Sequence, residues 1–157
     1  MESAFGIVEV LSVTDISLRT GQKLCERYND IRGAHRDLND LNARVEHVWT
    51  HIAYQLRTIK NSSDAVPDTL RGRMVDLLHQ LQFILHTACK NLTKTADIGG
   101  WTMVEAIRFT LFLKRALQKD VGALEKWRVV FDSAFFTPFC EAPNLIKSFQ
   151  KERFVYC

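Results

Sequence analysis

The chain has 157 residues, 46% of them hydrophobic and 25% charged, with a formal net charge of +3. That length suits one domain with a sizeable core, and so small a net charge gives no argument for nucleic acid, which needs a concentrated basic stripe. Seven Gly and three Pro favour long helices over a many-stranded sheet.

The opening stretch carries most of the information. Nine of residues 2–18 are apolar (Ala4, Phe5, Ile7, Val8, Val10, Leu11, Val13, Ile16 and Leu18), and no base precedes Arg19. A secretory signal would need a basic start, and a mitochondrial presequence would be Arg-rich and poor in acids; Glu2, Glu9 and Asp15 fit neither. A lone membrane span needs roughly 20 mostly apolar residues, and each acid at its centre costs about 2.5–3.5 kcal/mol. The stretch therefore reads as the buried first helix of a bundle. A conditional membrane segment is compatible with that resting state.

The first helix is expected over 4–30, with Val10, Val13, Leu24, Cys25 and Tyr28 recurring at helical spacing. Gly21 is placed either to bend it or to admit a close neighbour. Ile31-Arg32-Gly33 reads as a connector. A second helix over 34–60 carries a near-heptad seam of Leu38, Leu41, Val45, Val48, Ile52, Leu56 and Ile59, suited to shallow-angle packing in a bundle. The polar run 60–68, with Pro67 near its end, reads as a protease-sensitive loop. Asp68 is positioned to cap a third helix over 69–94. That helix's wide stripe (Leu70, Met74, Leu77, Leu78, Leu81, Ile84, Leu85, Ala88, Leu92) suggests neighbours on two sides.

Residues 95–100 break the pattern. A fourth helix follows over 102–119, with Val104, Ile107, Leu111 and Phe112 on one side, and 116–136 continues helically with a bend expected near Gly122. Pro138 and Pro143 should interrupt the chain before a short helix over 144–155. Trp101, Trp127, Phe131, Phe135, Phe136 and Phe139 crowd the last third and read chiefly as core. No alternating strand pattern and no repeat occurs. The fold class is all-α, a single helical bundle of four to six helices.

Charge is unevenly spread: −3 over residues 1–18, +3 over 19–60, zero over 61–100 and +3 over 101–157. The basic surplus outside the apolar start could meet anionic membrane lipid or simply form a solvated surface. Cys25, Cys89, Cys140 and Cys157 stand far apart without a CxxC pair, so free thiols are expected. With no secretory signal, the sequons at Asn61 and Asn91 carry no weight.

Candidate chemistry is sparse. His47 and His51 share one face of the second helix, a spacing able to grip a metal, yet no further ligand is apparent. His79, His86 and Cys89 are no stronger. Asp37 and Asp40 have Arg36 and Arg44 as expected ion-pair partners. There is no phosphate loop, no GxSxG elbow and no marked nucleophile. No catalytic, cofactor-binding or metal residue is assigned, and the chain reads as a non-enzyme.

Ala4-Phe5-Gly6-Ile7-Val8 followed by an apolar helix resembles the start of fungal HeLo and HeLo-like domains. These stand at the N-terminus of heterokaryon-incompatibility proteins and fungal NOD-like (STAND) receptors. A second point of similarity is Leu124-Glu125-Lys126-Trp127 followed by Phe131-Asp132, Ser133 and Phe135 or Phe136, without the proline and second tryptophan common in those domains. The resemblance implies that residues 1–157 are a HeLo-like bundle at the N-terminus of a larger protein. It implies programmed cell death in fungal innate immunity: copies brought together by an oligomerising receptor or an amyloid signal release the N-terminal helix, which relocates from cytoplasm to plasma membrane and permeabilises it. The residues carried over are Phe5, Gly6, Ile7, Val8, Val10, Leu11 and Val13. The partners implied are further copies of the chain, anionic membrane lipid and a receptor or amyloid-signalling protein, with no nucleic acid and no cofactor. The alternative is a non-lytic interaction or oligomerisation module of a fungal signalling receptor.

Overall fold

The computed structural model describes residues 2–32, 39–93 and 103–141, with side chains described for 6–30, 39–93 and 111–141. Four long helices account for most of them: α1 (Glu2–Arg32), α2 (Asn39–Asn61), α3 (Asp68–Thr93) and α4 (Met103–Phe131). A 3₁₀ turn, Ser63–Ala65, joins α2 to α3. Beyond α4 the chain widens into a π turn, Asp132–Phe136, followed by a single α-helical turn, α5 (Thr137–Cys140), the last element among the described residues. No strand occurs among the described residues. The all-α helical bundle read from periodicity is the observed architecture.

Pattern and burial agree closely in α2. Leu41, Val45, Val48, Ile52, Leu56 and Ile59 are all buried, joined by Trp49 and Ala53 on the flank. Asp40 in the first turn and Lys60 in the last complement the helix dipole. Leu38 lies outside the described residues. The α3 stripe is equally faithful: Met74, Leu77, Leu78, Leu81, Leu85, Ala88 and Leu92 are buried, and Leu70 and Ile84 pack partly against the same core.

Helix α1 packs most extensively on α3 and next on α2, while α4 lies against both α3 and α2. Helices α1 and α4 thus each bridge α2 and α3. The wide α3 stripe serves neighbours on two sides, as its breadth suggested.

Several boundaries differ from expectation. Ile31 and Arg32 belong to α1 rather than to a connector. Asp68 lies inside the first turn of α3, where its carboxylate pairs with Arg71, instead of capping the helix. The first turn is closed by the Leu70 amide donating to the Pro67 carbonyl at 2.9 Å. The 60–68 connection is shorter than a free loop, because α2 runs to Asn61 and buried Val66 is anchored in the core. Helix α4 is unbroken through Gly122. Leu111 and Phe112 are 59% and 65% exposed, not core-facing. The buried row is Leu113, Leu117, Val121 and Leu124, which at about 100° per residue leaves Leu111 and Phe112 turned away from the core. The side chains of Val104 and Ile107, together with Arg36, Asp37, Trp101, Pro143 and the expected 144–155 helix, lie outside the described residues.

Pro138 does not break the chain. It occupies the first turn of α5, where its missing N–H is no loss. The preceding π turn has a packing role. Trp127, Phe131, Phe135 and Phe139 are all buried, with successive ring centroids 4.5, 5.3 and 5.4 Å apart. Four-residue steps on an α-helix drift by roughly 40° each. The wider π turn offsets this drift and keeps the last two rings on the core side. Trp127 closes the row by donating its indole N–H to the Leu77 carbonyl at 2.7 Å.

Candidate functional site

The candidate site is the first half of α1 and the surface that holds it. Its buried face repeats at steps of 4, 3, 4, 3 and 4: Val10, Thr14, Ser17, Gly21, Leu24 and Tyr28, with Val13 beside it. The ends of this seam are large and apolar. Its middle is small or polar; the hydroxyl oxygens of Thr14 and Ser17 there, and of Tyr28 at the far end, are buried without a hydrogen-bond partner. An unsatisfied buried hydroxyl costs about 1–3 kcal/mol. Thr14, Ser17 and Gly21 also bring the fewest apolar atoms to the seam.

The seven residues singled out by sequence do not act as one buried strip. Val10 and Val13 are buried, Gly6, Ile7 and Leu11 are half-buried, and Val8 is 66% exposed. The Phe5 side chain lies outside those described. Complete burial from Phe5 to Val13 is thus corrected at Val8: its position on the helix faces away from the Val10–Val13 seam. Ile16 is also half exposed. Helix α1 carries apolar groups toward the core and toward solvent, so no single bundle face satisfies all of them.

An ion pair and a carboxylate–imidazole contact lie at the rim of this segment. Asp15 accepts from Lys60 at the end of α2, Nζ to Oδ1 2.6 Å, and Glu9 faces His79 of α3, Oε1 to Nε2 3.7 Å. All four side chains are substantially exposed. Such pairs contribute about 0–1 kcal/mol each. The two acids that disfavour membrane insertion are therefore resting-state contacts. Nearer the middle of α1, Gly21 gives α2 its close approach: a Cβ there would overlap the six-membered ring of Trp49.

The expected His47–His51 pair is exposed on α2 and lines a shallow groove with Glu46, Thr50 and Tyr54. His51 Nε2 lies 3.9 Å from Asp132 Oδ2, and Gln55 donates to Asp132 Oδ1 at 2.5 Å. Sequence did not foresee Asp132, 81 positions further along the chain than His51. No group of three or more His, Cys, Asp or Glu able to hold a metal occurs among the described residues. His79 engages Glu9 instead of a ligand set with His86 and Cys89.

Arg44 was expected to pair with Asp40 or Asp37. It makes a two-pronged contact with Glu125 of α4, at 3.0 and 2.7 Å, and its hydrogen bond lowers the Glu125 pKa. Cys25, Cys89 and Cys140 are free thiols. Burial, reinforced by Glu46 and Glu26, pushes Cys25 up to about 12, the opposite of an activated nucleophile. Burial likewise raises Asp120, against the lowering effect of the Asn91 amide that donates to it at 2.9 Å.

Among the described residues, no helix is long and apolar enough to cross a membrane. Comparison with known proteins finds no family model, no curated protein and no solved structure that matches this chain.

Proposed function

We propose that this chain is a regulated cell-death effector domain of the HeLo-like kind, held as a helical bundle and activated when oligomerisation frees α1 to perturb a membrane. The observation that carries the reading is the seam of α1: a helix with apolar groups on two faces, seated through buried Thr14, Ser17 and Gly21 with two unpartnered hydroxyls. Such a helix has less to lose on leaving its groove than one seated through leucines. It also carries exposed Val8 and Ile16 that an apolar phase would accept. Glu9 and Asp15 would exchange His79 and Lys60 for a water-lined interior between copies. Clustering supplies the effective concentration that a single copy lacks. The partners in this reading are further copies of the chain, a receptor or amyloid signal that gathers them, and an anionic plasma-membrane surface approached from the cytoplasm.

The second reading is a non-lytic interaction module within a signalling receptor. Its support is that Leu24 and Tyr28 tie the second half of α1 firmly into the core, while Phe83, Leu111, Phe112, Val129 and Val130 stand exposed on α3 and α4.

Dye release from anionic liposomes separates the two. The purified chain is assayed alone and with a fused clustering tag, beside a version lacking residues 2–18 whose helicity is checked. Leakage that requires both clustering and the N-terminal segment supports the effector. A folded, clustered protein that leaks nothing supports the module.

A further inference from the structure

Beside Gly21, α1 and α2 border a groove of about 540 Å³ lined by Leu18, Arg19, Lys23, Glu26, Trp49 and Arg57. Three of these are bases and one is an acid. Arg19, Lys23 and Arg57 are exposed. Among the described residues, none of the three has a carboxylate within ion-pair distance. Glu26 is engaged by the Gln22 amide at 3.2 Å. Elsewhere on the same two helices bases do find acids: Lys60 holds Asp15 and Arg44 holds Glu125.

We propose that this groove binds a phosphate ester, and that occupancy pins α1 against α2. Two guanidinium groups and an ammonium around one concavity suit the tetrahedral, multiply charged oxygens of a phosphate. Leu18 and the Trp49 ring give the organic part of the ester an apolar wall. The bases come from both helices, Arg19 and Lys23 from α1 and Arg57 from α2. A bound anion would bridge bases carried by the two helices. A ligand that needs both helices in place stabilises the docked state by mass action. The pinning rests on the reading of α1 as a releasable helix; the binding does not.

The test is calorimetric titration of the intact chain with pyrophosphate and inositol hexakisphosphate. A parallel arm sediments the chain with phosphatidylcholine vesicles, with and without a phosphoinositide. Arg57→Glu should weaken binding at least tenfold, the loss of about one charge-assisted contact. Arg57→Lys should retain most of it, and Arg73→Glu, an equal charge change on exposed α3, should leave it nearly unchanged. Soluble probes binding with this pattern identify a free phosphate ester, and vesicles alone doing so identify a lipid headgroup; either supports the site. No binding by any probe, equal loss in Arg57→Glu and Arg73→Glu, or polyglutamate binding as tightly as the phosphates overturns it. For the pinning, the soluble probe should raise the thermal midpoint and suppress leakage by the clustered chain. Phosphate binding without leakage under any condition would remove the effector reading and leave the site standing. Leakage that Arg57→Glu does not alter, with no phosphate bound, would do the reverse.

Discussion

The six-membered ring of Trp49 occupies the space where a side chain on Gly21 would stand. Here α2 seats its largest side chain directly on the α1 backbone, and only glycine leaves room for it. Gly21→Ala should destabilise the fold by about 1–3 kcal/mol, the usual cost of forcing atoms into a packed site. The loss should be partly recovered when Trp49 is also cut to Leu. A denaturant double-mutant cycle measures it, and strict additivity of the two changes would contradict the contact.

Thr14→Val combined with Ser17→Ala removes two buried hydroxyls that lack partners while nearly preserving volume at the first site. Stability should rise by about 1–2 kcal/mol in total. If α1 must leave for activity, clustered protein carrying both changes should leak dye more slowly than the parent. A gain in stability with unchanged leakage would detach the seam from function.

The rim pairs are expected to matter less. Asp15→Asn or Glu9→Gln should each cost no more than about 1 kcal/mol, because the partners are exposed and screened by salt. Hydrogen exchange should quicken around residues 6–18 and stay unchanged in α4. Slow exchange persisting in a chain carrying both Asp15→Asn and Glu9→Gln would show that the pairs do not hold the helix.

Asp120 sets a pH dependence. Burial raises its folded-state pKa above the ordinary carboxylate value, so the folded chain binds its proton more readily than the unfolded chain. The contribution therefore favours folding below the unfolded pKa and is lost as pH rises through the folded one. Asp120→Asn keeps an oxygen to accept from Asn91 and removes the charge. It should be more stable than the parent at neutral pH, with the advantage shrinking as pH falls into the carboxylate range. Glu125 works in the other direction. Arg44 holds its pKa down, so stability present above the unfolded value fades as acid protonates it. Thermal melts of Asp120→Asn and Glu125→Gln across that range should therefore show opposite slopes relative to the parent.

Much of the bundle was legible from one-dimensional spacing. In α2 the apolar spacing marks the buried face, each described member of the seam from Leu41 to Ile59 being buried, although Asn42 and Gln55 are buried with it and no apolar spacing reveals them. Helix α1 was read less well because its seam passes through Thr14, Ser17 and Gly21, which hydrophobicity does not mark. The unbroken 4-3-4-3-4 spacing from Val10 to Tyr28 was the available signal. Leu111 and Phe112 misled for the opposite reason: they are apolar, yet sit off the Leu113–Leu117–Val121 row. Pro138 looks like a breaker in one dimension because its tolerance in a first turn depends on the helix restarting after the π turn. The long-range partners Arg44–Glu125, Lys60–Asp15 and His51–Asp132 follow from tertiary packing and leave no local trace.

The position of Gly21 also divides α1 as a rod. At 1.5 Å per residue the stretch Glu2–Gly21 measures about 30 Å, the thickness of a bilayer's hydrocarbon layer, and the remaining turns to Arg32 form a foot set in the bundle by Leu24 and Tyr28. The arm has a span's reach without a span's composition. A single arm would strand Glu9 and Asp15 in oil, whereas several side by side could turn those carboxylates toward one another's water. On the effector reading proposed above, passage across a bilayer would therefore be a collective act.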